Sequence, residues 1–373
     1  MLTPDKISGL QIAFERLTDP VTEFLIRDIA RRVKKAGAFT STAAYQTWRL
    51  QDLGKSLPEI QTELSRLMGI AADTAAGLLE QAAEFDYIDD IDRLGGAVEF
   101  SENPAMQQIV DAAVKLARGD LTNITQTIGF IDQGGISRTL TAAYESACDF
   151  AFTQTSTGAA DYTTAIRKAC ENLASNGIQT INYESGINTS LEAAVRRTLM
   201  GGTGLMVEQI SRKNHDDLGA NGWEISAHAN SAPDHEPIQG KQYTDEEFER
   251  LNSRLKRRIG TLNCGHVASP IILGISQQQY TRQELEQFRV DNDKGVRYEG
   301  REFKTMYDAT QYQRKIERSI RVWKRRAMTG AYEGADTRLR LLRAEYIRFS
   351  NAVGLRTEDE RLYVARLTKK RSK

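Results

Sequence analysis

A chain of 373 residues with 50 basic and 50 acidic side chains is formally neutral, and it is long enough to build a sizeable core without disulfides or a structural metal. No apolar run approaches the roughly 20 residues that cross a bilayer, and the opening MLTPDKISGL lacks the regions of a signal peptide, so the expected compartment of synthesis is the cytoplasm. Cys148, Cys170 and Cys264 are odd in number and widely spaced, which excludes a disulfide framework. The neutral total hides an asymmetry. Residues 301–373 carry 20 Lys+Arg against 9 Asp+Glu, net +11, and leave residues 1–300 at −11. An acidic body with a basic C-terminal region points to a polyanion or an acidic protein surface as partner, with a solvated helical tail as the bland alternative.

The first two hundred residues read as successive helices. Asp19-Pro20 predicts an N-cap with proline at the first helical position, where its missing N–H costs nothing. Val21, Phe24, Leu25, Ile29 and Val33 recur behind it at helical spacing, and Gly37 is the stop. Further helices are expected over 42–53 (stopped by Gly54), from Leu57-Pro58 to Gly69, over 72–94 (stopped by Gly95-Gly96), and over 104–118, 137–154 and 161–174. Residues 178–183 alternate as a short strand. Thr189-Ser190-Leu191-Glu192 has the form of a capping box opening a helix that runs toward Ile210. Gly201-Gly202-Thr203-Gly204 interrupts it and reads as a bend or hinge. A phosphate-binding loop needs a Gly-Lys-Ser/Thr ending and a preceding strand, and neither is there.

Strands over 223–227 and 269–275, with helices over 245–258 and 281–291, make a small α+β unit. From Phe303 the pattern is helical again. Ala309, Tyr312, Ile316, Ile320, Trp323 and Ala327 form an apolar stripe, and Arg314, Lys315, Arg318, Arg321, Arg325 and Arg326 form the basic remainder. A last long helix presents Leu339, Leu342, Tyr346, Phe349 and Val353.

Rare side chains gather between Gly222 and His266, where His228, His235, Cys264 and His266 all lie. On an extended segment Cys264 and His266 share a face, since strand side chains have a period of two. Thiolate and imidazole suit zinc, with His228 and His235 completing a tetrahedral set and Asp234 as a substitute ligand. The spacing fits no standard zinc motif, so the competing reading is a hydrogen-bonded polar cluster that ties loops together. Cys264 and His266 are too close along one segment to act as nucleophile and base. Glu247/Glu249, Glu284/Glu286 and Glu358/Glu360 echo the Glu-x-Glu of ADP-ribosyltransferases, a pattern that comes cheaply in a chain 27% charged. The basic helix over 309–327 is the better candidate, either for salt-dependent, sequence-independent phosphate contacts or for docking onto a protein groove.

Five segments carry a family resemblance: FTSTAAYQTWRLQDLGKSLPEI (39–60), TSLEAAVRRTLM (189–200), SAHANSAPDHEPIQGK (226–241), LNCGHVASP (262–270) and YEGREFKTMYDATQYQRKIERSIRVWKRR (298–326). With these motifs in this order, the chain resembles minor capsid proteins of tailed phages and prophages of Gram-positive bacteria, and more distantly the Mu F-like head morphogenesis proteins. The resemblance implies a structural, non-enzymatic virion protein at the portal vertex or inner head. Its implied partners are the portal protein, other head proteins and packaged double-stranded DNA, with no membrane in the mature head. His228, Pro233, His235, Gly240, Cys264 and His266 sit at positions matching the family motif. Gly265 stands where the family usually has Arg or Lys, and Ala232 where it usually has Arg.

The expected fold is mainly α with a small α+β module. It divides into an elongated multi-helix region over 1–215, the module over 216–302 and a basic helical C-terminal arm over 303–373. The expected function is a minor head protein with no cofactor, zinc at His228, His235, Cys264 and His266 being the exception to test. The rivals are a zinc-dependent or ADP-ribosyltransferase-like enzyme carried in the virion, and a sequence-independent nucleic-acid-binding protein.

Overall fold

Proline and hydroxyl side chains open most of the helices, each giving the first turn an acceptor or removing a donor that has no partner there. The computed structural model describes residues 2–132, 136–181, 188–260 and 265–362. The N-terminal helices are α1 (Pro4–Arg16), α2 (Asp19–Gly37), α3 (Thr42–Trp48), α4 (Gly54–Leu94) and α5 (Pro104–Gln126). Strands β1 (Ile128–Ile131) and β2 (Ser137–Thr139) precede α6 (Leu140–Ser156) and α7 (Tyr162–Asn176), and β3 (Gln179–Ile181) and β4 (Asn188–Ser190) precede α8 (Leu191–Asp217). Next come β5 (Gly222–Ile225), β6 (Gln242–Thr244), α9 (Asp245–Arg254), β7 (Ala268–Ile271) and α10 (Arg282–Asp293). The hairpin β8 (Val296–Tyr298) and β9 (Arg301–Phe303) leads into α11 (Met306–Thr329) and α12 (Ala335–Val353).

The fold is mainly α with three small antiparallel sheets, in the orders β2-β1-β3-β4, β6-β5-β7 and β8-β9. Apolar burial falls into three clusters. The largest runs from Leu2 to Ile210 through α1–α8 and takes in Val267. A second joins α11 to α12 through Ile316, Ile320, Tyr346 and Phe349. The third is the small β5 sheet with α9, built on Trp223, Ile225, Phe248 and Ile259. The C-terminal helices lie against the N-terminal bundle, α11 packing on α7 and α2 as well as on α12. Among the described residues no helix is long and apolar enough to cross a membrane.

Several boundaries differ from the sequence reading, for identifiable reasons. The helix expected over 42–53 ends at Trp48 and continues as a π-helical turn over Arg49–Leu53 into α4. Helix α4 runs unbroken for 41 residues through Pro58, Gly69 and Gly77, so Gly54 and Gly69 are not stops. Leu64, Met68, Ala75, Leu79 and Ala83 are buried along it, and that continuous stripe outweighs the ~1 kcal/mol that a single glycine costs. Helix α8 likewise passes straight through Gly201–Gly204. Leu199, Thr203, Met206 and Val207 are buried on one side of it, and the Thr203 hydroxyl donates back to Leu199 O at 2.8 Å. Thr18, one residue earlier than expected, caps α2. The capping box at Thr189 does not form. Thr189 is drawn into β4 opposite Thr180, and Ser190 takes the cap position without a side-chain bond. Capping boxes do form at Thr244/Glu247, Thr281/Glu284 and Thr305/Asp308.

Candidate functional site

The histidine-rich loop is held by β5 and β7. Ser226 N donates to Val267 O at 2.8 Å and Gly240 N to Ile225 O at 2.8 Å, so both ends of the loop are tied to the sheet. His228, His235 and His266 meet there, with ring centroids 4.4 Å apart for His228 and His266 and 5.2 Å for His235 and His266. His235 Nε2–H donates to Arg257 O at 2.9 Å, which leaves Nδ1 as the acceptor facing His266 Nδ1 at 3.3 Å. His228 Nδ1–H donates to Ala229 O at 2.9 Å. His266 Nε2 lies 3.0 Å from Gln239 Oε1 and 3.4 Å from Ser231 Oγ.

Burial first, and then the neighbouring histidines, hold His266 well below its ordinary pKa, and burial does the same for His228. His228 and His266 are therefore neutral in the knot. Both ring nitrogens of His235 and His266 are engaged in it, so a metal bound there must displace the contact between them. Cys264 lies outside the described residues. Among the described residues no group of three His, Cys, Asp or Glu side chains is placed to hold a metal ion. His215, the remaining histidine, sits apart, stacked on Trp223 and 2.9 Å from Asp245.

This knot forms one wall of a cleft of ≈ 340 Å³ whose opposite wall is α11. The two groups singled out in the sequence thus face each other. Arg314, Arg318 and Arg321 come from α11, Arg196 from α8, Arg257 from the segment after α9 and Arg361 from a 3-10 turn. Glu15 of α1 and Glu317 are the acidic lining residues, and Gln11, Tyr307 and Gln311 add neutral polar groups. Arg196, Arg257 and Arg361 escaped the sequence reading. Only the two Arg-Arg pairs at 196–197 and 257–258 hinted at the first two.

The basic residues of α11 divide by environment. Glu15 bridges Arg196 and Arg321. Arg314 is 3.0 Å from Glu317 and 3.2 Å from Glu358, which also pairs with Arg361. Arg325 is buried and donates to Ala174 O at 2.9 Å, and Arg326 pairs with Glu171. Lys315 and Arg318 are exposed and make no ion pair among the described residues. A further unpaired basic surface is on α12, where Arg338, Arg340, Arg343 and Arg348 are all exposed, again with no ion pair among the described residues. Leu341 and Ile347 stand exposed between them, at 58% and 47%.

Five of the six Glu-x-Glu carboxylates, those of the described side chains, have local structural partners. Glu247 and Glu284 cap helices, Glu249 and Glu286 pair with Arg212 and Arg289, and Glu358 binds Arg314 and Arg361.

No curated protein and no solved structure matches the chain. The family model described as phage minor capsid protein 2 matches residues 2–345, nearly the whole length and a span that contains all five motifs: the chain belongs to the phage minor capsid protein 2 family.

Proposed function

We propose that this minor capsid protein takes its place at the portal vertex or on the inner face of the head, and that α12 is the element that meets its partner there. The observation that carries this reading is the outer face of α12. Four exposed arginines without ion pairs flank Leu341 and Ile347, on a helix whose other face is anchored by Leu342, Tyr346 and Phe349. A helix with apolar residues between basic flanks fits a groove on a protein with an acidic rim. We take the portal or a neighbouring head protein as the partner that this surface would meet.

Charge reversal tests it. Arg340→Glu together with Arg348→Glu leaves the folded protein with its native circular dichroism and unfolding midpoint, because both side chains are exposed and unpaired. The same variant is expected to be depleted at least tenfold from purified heads, as measured by mass spectrometry against the major capsid protein. Native protein missing from heads sinks the whole reading, and undiminished incorporation of the variant sinks the role of α12.

Contact with packaged DNA is a second reading, supported by the net +11 of residues 301–373. A protein that neutralises phosphates loses affinity linearly in log salt, with a slope near −0.9 per phosphate on duplex DNA. Replacing Arg338, Arg340 and Arg343 by glutamine is expected to cut that slope by about two to three. An unchanged slope removes α12 from the DNA contact.

A further inference from the structure

We infer that the cleft between the histidine knot and α11 is a binding site for a small phosphoryl-bearing anion of nucleotide size. This inference goes beyond the docking role of α12 and is independent of it.

The charge balance comes first. Six arginines line the cleft against two glutamates, Glu15 and Glu317. Three acids that do not line it, Glu358, Asp234 and Glu192, neutralise most of the remainder through Arg314, Arg361, Arg257 and Arg321. Positive charge is still left over, and Arg318 makes no ion pair among the described residues. Unused donors are the second observation. Arg196 Nε and Arg321 Nε have no hydrogen-bond partner, although both guanidinium groups are held in place through Glu15 and Arg321 Nε lies 3.8 Å from Glu192 Oε1. Both side chains line the cleft, where a bound anion would add acceptors that the fixed guanidinium groups lack.

The remaining lining excludes the other ligand classes. Cation binding is opposed by the arginines, and the imidazoles of His235 and His266 already spend their nitrogens on each other, on Arg257 O and on the Ser231 hydroxyl. An apolar ligand would strand the polar groups of Gln11, Tyr307, Asn230 and Gln311 that line the cleft. Planar guanidinium forks match the oxygens of a phosphoryl group. The volume of ≈ 340 Å³ sits at the lower end of small-ligand pockets and is far too narrow for duplex DNA.

Gln311 makes a clean handle, since it is exposed at the lining and makes no side-chain hydrogen bond among the described residues. The test is calorimetric titration of the full chain with pyrophosphate, ATP, and oligothymidine bearing either a 5′-phosphate or a 5′-hydroxyl. Pyrophosphate and ATP are expected to bind. Arg318→Gln should weaken them about tenfold, the usual scale of one charge-assisted hydrogen bond. Gln311→Glu should weaken them further, and Gln311→Lys should tighten them. The control Arg338→Gln, on α12, should leave these affinities unchanged.

Oligothymidine separates the sources. Preference for the 5′-phosphate places a nucleic-acid end in the cleft, and equal, weak binding of both ends leaves the nucleotide as ligand. Three results overturn the proposal: no pyrophosphate binding at millimolar concentration, equal sensitivity to Arg318→Gln and Arg338→Gln, or competition by an acidic peptide as effective as that by ATP. Loss of head incorporation in the α12 variant with pyrophosphate binding intact would show that the two sites stand or fall separately.

Discussion

Replacing Asp86 and Asp90 together by asparagine will make the protein more stable than the native chain at pH 8 and give a much smaller gain at pH 4.5. The two carboxyls lie one turn apart on α4 and are fully buried against α8. Ser211 Oγ donates to Asp86 Oδ2 at 3.1 Å and Asn214 Nδ2 to Asp90 Oδ2 at 3.0 Å, while the Oδ1 of each carboxyl has no hydrogen-bond partner. Burial pushes Asp90 up to about 7. Burial and the neighbouring Asp90 charge push Asp86 well above the ordinary carboxyl range.

The sign follows from proton counting. Above an unfolded value near 3.8 the unfolded chain has lost these protons while the folded chain keeps them, so folding becomes less favourable as pH rises toward 7. A displacement from 3.8 to about 7 corresponds at most to about 4 kcal/mol for Asp90. Asparagine mimics the protonated carboxyl and removes that penalty. The quantity to measure is the difference in urea unfolding free energy between variant and native protein from pH 4.5 to 8. Taking the difference cancels His228 and His266, which are depressed and so act with the opposite sign below about pH 6.5. Asp19, raised to about 7 by burial and by Glu192, will keep a residual slope in both proteins. A difference that stays flat with pH would mean that the pair is ionised and solvated in the folded state.

Much of the fold is legible in the sequence because punctuation is local. Pro104 opens α5 behind an Asn103 cap, Gly95 closes α4 in the left-handed conformation, and the Thr244 box starts α9. The boundaries misplaced at glycine share one cause. Glycine at 54, 69 and 201–204 was weighed as a local breaker, whereas burial along α4 and α8 decides the matter through distant contacts. Strands of three or four residues such as β2, β4, β8 and β9 are too short to show a period, and their pairing is set by register with partners elsewhere in the chain.

The candidate site was half legible. Its histidines announce themselves as rare residues in one loop, and the arginines of α11 as a basic run. That the two face each other depends on packing between elements that sequence spacing does not link. Arg361 and Gln11, 350 residues apart, illustrate it.

Arg325→Ala is expected to destabilise the protein by about 2–4 kcal/mol and to leave head binding and DNA affinity as they were in whatever folds. In the sequence Arg325 belongs to the basic face, nine residues or about 2.5 turns from Ile316, and so on the opposite side of the helix. A solvated position follows only if α11 is covered on one side. It is covered on two: the Ile316 and Ile320 side packs on α12, and the far side of its C-terminal half packs on α7 and α2. Arg325 is consumed by that second contact. Its Nε donates to Ala174 O at 2.9 Å and its Nη2 to Ser175 O at 3.4 Å, at the C-terminal end of α7, where carbonyls lack partners within the helix. A Cβ on Gly177 would come within 3.1 Å of the guanidinium, and that residue's φ of 68° already favours glycine. Alanine at 325 therefore opens a cavity and strands carbonyl oxygens at once. Lysine would rescue only part of the loss, since one ammonium replaces a planar fork that reaches two carbonyls. Arg318→Ala, an exposed position on the same helix, is the matched control and should change stability by no more than about 0.5 kcal/mol. Urea unfolding of the three variants beside the native protein decides the matter. If Arg325→Ala unfolds with the native midpoint while its DNA affinity falls, the guanidinium faces solvent and the second buried face of α11 does not exist.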